Sequence, residues 1–134
     1  MERKEPHANQ AEFNKRVVRY RSVPLIELCA EGIKSHIVSA EKITVSFINA
    51  EPDSCVPTHR HESEQITIIT TGACDFSVEG KLYHLEEGDA IVIPSNIEHG
   101  AYFSGKGGQT IDIFSPTRQD FVEKLETVKK SLKK

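Results

Sequence analysis

At 134 residues the chain has the size of one domain built around one hydrophobic core. A net charge of −3 gives no general attraction to nucleic acid or to an anionic membrane, and no apolar run approaches the roughly 20 residues that span a bilayer. Three scattered cysteines, Cys29, Cys55 and Cys74, form neither a disulfide framework nor a thiolate zinc spacing. Together with a polar N-terminus unlike a signal peptide, they lead to the expectation of a cytoplasmic protein with reduced thiols.

In chain order, residues 1–14 are polar and expected to be loose. Residues 16–30 carry Val17, Val18, Leu25 and Ile26 around Pro24, which opposes a long central strand. One or two short edge strands are expected there, as an arm over a partner subunit. Strands are predicted over 33–39 and 43–49, with Ile43, Val45 and Phe47 on one parity. A turn at 51–54 and a polar stretch lead to a β-branched strand at 66–71. Gly72 and Ala73 mark a turn or a close approach, before strands at 74–78 and 82–85 joined by a hairpin turn at 79–81. A short strand at 90–93 stops at Pro94, and another begins at Tyr102 and Phe103. The G-K-G-G run at 105–108 reads as a flexible turn before a last strand at 110–114.

Pro116 ends the sheet, and Thr117 is placed to cap a helix from Arg118 to Lys134. Phe121, Leu125, Val128 and Leu132 recur along it at helical spacing, and its lysines make a solvated basic face. Many short strands followed by one helix give an all-β sandwich or barrel without a βαβ unit. No glycine-rich phosphate loop is present, so a nucleotide cofactor is not expected.

The chemistry gathers in C-V-P-T-H-R-H-E-S-E-Q-I-T-I-I-T-T-G, residues 55–72. In an extended strand His59 and His61 share a face and Gln65 keeps their parity, whereas Glu62 and Glu64 do not. Two imidazoles and a third polar group on one face form a metal-ligand arrangement, with His99 the best candidate for a fourth ligand. If Gln65 only orients a neighbour, Glu62 or Glu64 could bind instead, against the parity. Three neutral imidazoles and an amide would leave a divalent ion its full charge, favouring an anionic ligand. Imidazole suits several metals, so one divalent transition ion, Zn, Ni, Fe or Mn, is the expectation.

Two segments resemble the paired motifs of the cupin family. His59, Arg60, His61, three residues, Gln65, six residues and Gly72 fit the first, with Asp53 at its leading glycine. Gly88, five residues, Pro94, Ser95, Asn96, two residues and His99 fit the second, with Asn96 in place of its second glycine and Phe103 in place of its trailing asparagine. The resemblance implies a double-stranded β-helix, the cupin jelly-roll barrel, over 35–115, with an N-terminal arm over 1–34 and a C-terminal helix over 116–134. H-R-H-E-S-E-Q, G-D-A-I-V-I-P-S-N-I-E-H-G and D-I-F-S-P-T-R-Q-D-F are further similar to the small cupins that linearise 4,5-unsaturated monouronates in pectin and alginate breakdown.

That resemblance implies a metal held by His59, His61, Gln65 and His99, and a pocket using Asp112, Phe114 and Arg118. The substrate would be a small sugar acid. Separately, the apolar positions Val17, Val18, Leu25 and Ile26, expected to be exposed, suggest strand exchange and a homodimer. Asp112 shares parity with Thr110 and Phe114 and could face the interior, where burial would raise its pKa toward proton transfer. The fork of Arg118 suits a substrate carboxylate. The alternatives are a cupin dioxygenase, which a carboxylate ligand would favour, a lyase or polyketide cyclase, and a non-catalytic sugar- or metabolite-binding cupin. His7, His36 and His84 are expected to be surface or local structural residues, and Tyr83 and Tyr102 are left open as pocket residues.

Overall fold

Two long strands carry the architecture, β5 (Glu64–Val78) and β8 (His99–Ser115). They pair antiparallel from Glu64 opposite Ser115 to Val78 opposite His99, with register shifts between Ile69 and Thr71 and between Gly72 and Cys74. The structure, a computed structural model, describes residues 2–133. At the shifts the ribbon bends. Gly72 and Gly107 both adopt left-handed backbone, φ +80° and +70°, and a Cβ on Gly72 would lie 2.6 Å from the Gly107 carbonyl oxygen. Only glycine fits that approach. The expected turn at 105–108 is thus corrected. The glycines bend a continuous strand against its partner and do not reverse it, and Gly72 does the same from the other side.

The bend lets one ribbon serve two layers. On one side of it the ribbon is flanked by β3 (Thr44–Ala50), β2 (Ile33–Ser39) and β1 (Ile26–Glu27), and beyond β5 by β7 (Ala90–Ile93). On the other side β4 (Cys55–His59) lies beside β8 and β6 (Lys81–Leu85) beside β5. This is the double-stranded β-helix. The 79–81 hairpin turn stands, with Glu79 and Gly80 both at positive φ, 50° and 79°, as a tight two-residue hairpin requires.

Alternation puts Ile33, Ile37, Ile48 and Ile69 inside, but the same inward faces also carry Ser35, Ser46, Thr67 and Asp112, all buried. The outward face of this layer also carries apolar lines. Val38, Val45, Ile113, Ile66 and Val92 follow one another across five strands, and Phe47, Ile111, Ile68 and Ala90 form a second line beside them. Ile66 and Val92 are 40% and 65% exposed.

The two ends of the chain differ from expectation. Gln10–Arg16 form helix α1, started by a capping box in which the Asn9 side chain accepts from the Glu12 N–H and the Glu12 side chain accepts from the Asn9 N–H. This corrects the reading of 1–14 as loose over its last residues. Of the expected arm strands only the two residues of β1 form. Ile26 is buried there, while Val17, Val18 and Leu25 are exposed. Tyr20, in a short 3₁₀ turn, stacks on Phe47 with ring centres 3.8 Å apart. Helix α2 runs over Gln119–Leu132 and buries Phe121 and Leu125. Its N-cap is Arg118, without a side-chain cap, and not Thr117. Lys134 lies outside the described residues. No described helix is long and apolar enough to cross a membrane.

Candidate metal centre

Three imidazoles converge at one end of the β-helix. His59 closes β4 opposite His99, which opens β8, and a register shift lies between Val56 and His59. His61 stands in the loop before β5, and Gln65 is the second residue of that strand. The pair therefore meets through a loop and not through the shared strand face expected from parity. Ring centres of His59, His61 and His99 lie 4.4 to 5.4 Å apart, and one ligand atom from each falls within 4.8 Å of the others. Glu62 and Glu64 are both exposed.

Hydrogen bonds fix the ring tautomers. Nδ1 of His59 meets the Pro57 carbonyl, that of His61 the Ser63 carbonyl and that of His99 the Ile97 carbonyl, each at 2.8 Å. A carbonyl only accepts, so each Nδ1 donates, and in the neutral ring each Nε2 then presents a bare lone pair. His99 Nε2 is buried and without a partner among the described residues. His61 Nε2 lies 3.1 Å from Gln65 Oε1, and neither atom carries a proton to share. That amide is held by its other end, because Gln65 Nε2 donates to Thr67 Oγ1 at 2.8 Å. Four acceptors turned to one point repel each other unless a cation lies between them. A divalent ion fits this donor set, with His59, His61 and His99 positioned to hold it. Burial, with the neighbouring imidazoles and Arg118, pushes His99 down to about 4, and burial and Arg118 lower His61. At neutral pH both are the neutral bases a metal requires.

Next to the imidazoles lies a cavity of about 40 Å³, room for a few waters, walled mainly by apolar side chains such as Val56, Phe76 and Phe103. Asp112 reaches it from β8. Its Oδ1 accepts from Thr67 Oγ1 at 2.8 Å and more weakly from Thr110 Oγ1 at 3.4 Å. Burial pushes its carboxyl up to about 6, with the two hydroxyls and Arg118 pulling the other way. Arg118 also lines the cavity. Its Nε and Nη2 form a fork on the Asp120 carboxylate at 3.0 and 2.8 Å, and its guanidinium lies 3.9 Å from the Phe121 ring centre and 4.8 Å from that of Phe114. Phe114 is 2% exposed, with its ring edge-on to His61.

All seven residues singled out in the sequence thus stand around this centre and its cavity. Sequence reasoning missed Thr67, whose parity with Gln65 was a usable signal. It also missed the walls Leu28 and Cys29, which come from outside the motifs, and read Phe121 only as a residue of the helix face. Lys124 of α2 donates to the Leu28 carbonyl at 2.8 Å, tying the helix to the segment after β1. Tyr83 and Tyr102 are exposed and stand apart from the cavity wall. His36 holds the Val23 carbonyl and His84 pairs with Asp75, as local structural residues do.

Residues 46–111 match the cupin domain family. The pectin degradation protein KdgF of Dickeya dadantii (strain 3937) is 29% identical over 98 residues, covering 72% of this chain and 89% of that protein. The solved structure of KdgF from Halomonas sp. superposes with a TM-score of 0.70 at 27% identity, over 78% of this chain and 94% of that one. An RmlC-like cupin from Shewanella frigidimarina NCIMB 400 gives 0.73 at 24% identity, over 79% and 95%, a likeness of fold alone. Fold, motifs and these matches agree: residues 46–111 carry a cupin domain, and the chain is similar to the KdgF proteins.

Proposed function

We propose that the protein is a metal-dependent enzyme that converts 4,5-unsaturated monouronates to linear keto acids. The observation that carries this reading is the convergence of three imidazoles and an amide oxygen beside a buried carboxyl and an arginine on one cavity. The relative from Dickeya dadantii is a pectin degradation protein, and eliminative cleavage of such polyuronates leaves a 4,5 double bond at the new chain end. His59, His61, Gln65 and His99 would hold one divalent ion, Zn, Ni, Fe or Mn, whose Lewis acidity offsets negative charge developing on substrate oxygen. Arg118 offers the substrate carboxylate the nitrogen that Asp120 leaves unengaged, Nη1.

Asp112 takes the proton of the anomeric hydroxyl as the bond between C1 and the ring oxygen breaks, which leaves an aldehyde and an enolate. It then returns the proton to C4, and the enolate becomes a ketone. The reaction is an isomerisation with no atom gained or lost. A carboxyl near 6 populates both forms close to neutral pH, as this exchange needs. Phe114 serves as the wall between His61 and Arg118. Residues 35–115 form the working barrel in this reading, with the arm and helix closing its mouth. Cys29, Cys55 and Cys74 are all free thiols, which fits a reducing cytoplasmic setting. A homodimer would cover the apolar outer face.

Run in D₂O and followed by proton NMR, turnover should remove the C4 vinyl signal and place one deuterium at C4. Asp112→Asn should slow this by about 10²-fold or more. Unchanged rate in that variant would remove Asp112 from the chemistry. The small cavity and the occupied fork of Arg118 favour one second reading, a binding cupin. It predicts retained metal and ligand affinity without any vinyl loss.

A further inference from the structure

We infer that Thr67 decides which end of the Gln65 amide faces the three imidazoles, and that it can do so because Asp112 takes its only hydroxyl proton. The inference rests on the metal reading above and deepens it. An amide offers an oxygen acceptor at one end and an N–H₂ donor at the other, in nearly the same shape. With no metal bound, the donor end would suit the site better, since it could hydrogen-bond the bare Nε2 of His61. Something must hold the amide the other way, and the buried chain behind it does.

Thr67 is fully buried, with Gln65 and Asp112 at 5% and 8% exposure, so water does not compete for these groups. The Asp112 carboxylate can only accept, and the Thr67 hydroxyl donates to its Oδ1 at 2.8 Å. A hydroxyl has one proton and two lone pairs. Once the proton is committed, Thr67 can present only lone pairs to Gln65. The N–H₂ end therefore sits on Thr67, at 2.8 Å, and Oε1 is turned to the imidazoles, 3.1 Å from His61 Nε2. Thr67 is a positioning residue. It touches neither the metal point nor the substrate, and acts through Gln65. Its cross-strand pairing with Asp112 in the β5–β8 register sets the two side chains together.

The test uses Co²⁺ alone with the chelator-stripped full chain, its dissociation constant measured by competition against a chromogenic chelator. Thr67→Val should weaken Co²⁺ binding by about 10- to 100-fold and alter the visible Co²⁺ spectrum, whereas Thr67→Ser should stay within about threefold of wild type. In a Gln65→Glu background, where either end of the side chain is an oxygen, Thr67→Val should cost little. Wild-type affinity in Thr67→Val, or the same loss with and without Gln65→Glu, would overturn the inference. A wild-type measurement decides if the variant does not fold. In the metal-free protein the Gln65 amide protons should show NOEs to the Thr67 methyl group, and NOEs to the His61 ring in their place would also overturn it. If wild type binds Co²⁺ no better than His61→Ala, the metal reading itself falls and takes this inference with it, a result distinct from a Thr67-specific failure.

Discussion

Each of the three imidazoles is held by a backbone carbonyl two residues away, and each therefore presents its Nε2 lone pair inward. The H-x-H spacing, the reach to His99 and the parity of Gln65 and Asp112 made the grouping of these residues legible in the sequence, but not the carbonyls that set the tautomers. What it hid was the route. A loop, not a strand face, brings His61 to His59, and Thr67 looks like one more β-branched residue of β5. Arg118 was legible as a cation near the site, but its fork on Asp120 was not, because two residues apart in sequence gives no sign of a shared carboxylate. Asp112 yields a prediction at this scale. Its carboxyl titrates near 6 in the fold against 3.8 unfolded, so between those values the native state keeps a proton that the unfolded chain has lost. Its contribution to stability is then fully present below 3.8 and is lost as pH rises through 6. Urea unfolding of the metal-free protein should show Asp112→Asn gaining stability relative to wild type as pH rises from about 4 to about 6, then levelling off. Parallel curves would show that the carboxyl is not buried in this way.

Among the elements, most strands were legible from β-branched runs broken by glycine, proline and acidic turns. Two features needed three dimensions. The G-K-G-G run at 105–108 looks like a turn, yet glycines in β8 and β5 face one another and bend a paired ribbon. Helix α1 was overlooked because its polar composition masks the capping box of Asn9 and Glu12. The two positions where this chain departs from the motif glycines, Asp53 and Asn96, both keep left-handed backbone, φ 59° and 61°, so the bends survive the substitutions. The glycine of the ribbon bend is less replaceable. In Gly107→Ala a Cβ would press on the Ala50 carbonyl at positive φ. Thermal or urea unfolding should show a loss of about 2 kcal/mol or more. A loss below about 0.5 kcal/mol would contradict a close-packed bend.

At the scale of the molecule, one sheet of the β-helix carries an apolar line on its outward face. Val38, Val45, Ile113, Ile66 and Val92 form a line across five strands with no charge among them. Hydrophobic patterning read one strand at a time shows only alternation. The registers are what join these residues into one face. If a second copy covers that face, Ile66→Lys should convert a dimer to a monomer by light scattering and leave Co²⁺ affinity unchanged. A monomeric wild type would contradict the homodimer.

The central claim is metal-dependent conversion of an unsaturated uronate at His59, His61, Gln65 and His99, and the ultraviolet absorbance of the 4,5 double bond tests it most directly. Metal-loaded wild type incubated with 4,5-unsaturated galacturonate should abolish that absorbance, while His61→Ala and chelator-stripped wild type should match the uncatalysed decay. Equal decay in all three, with metal confirmed on the wild-type protein, would contradict the assignment of this substrate and leave the cupin fold and its cluster of imidazoles in place.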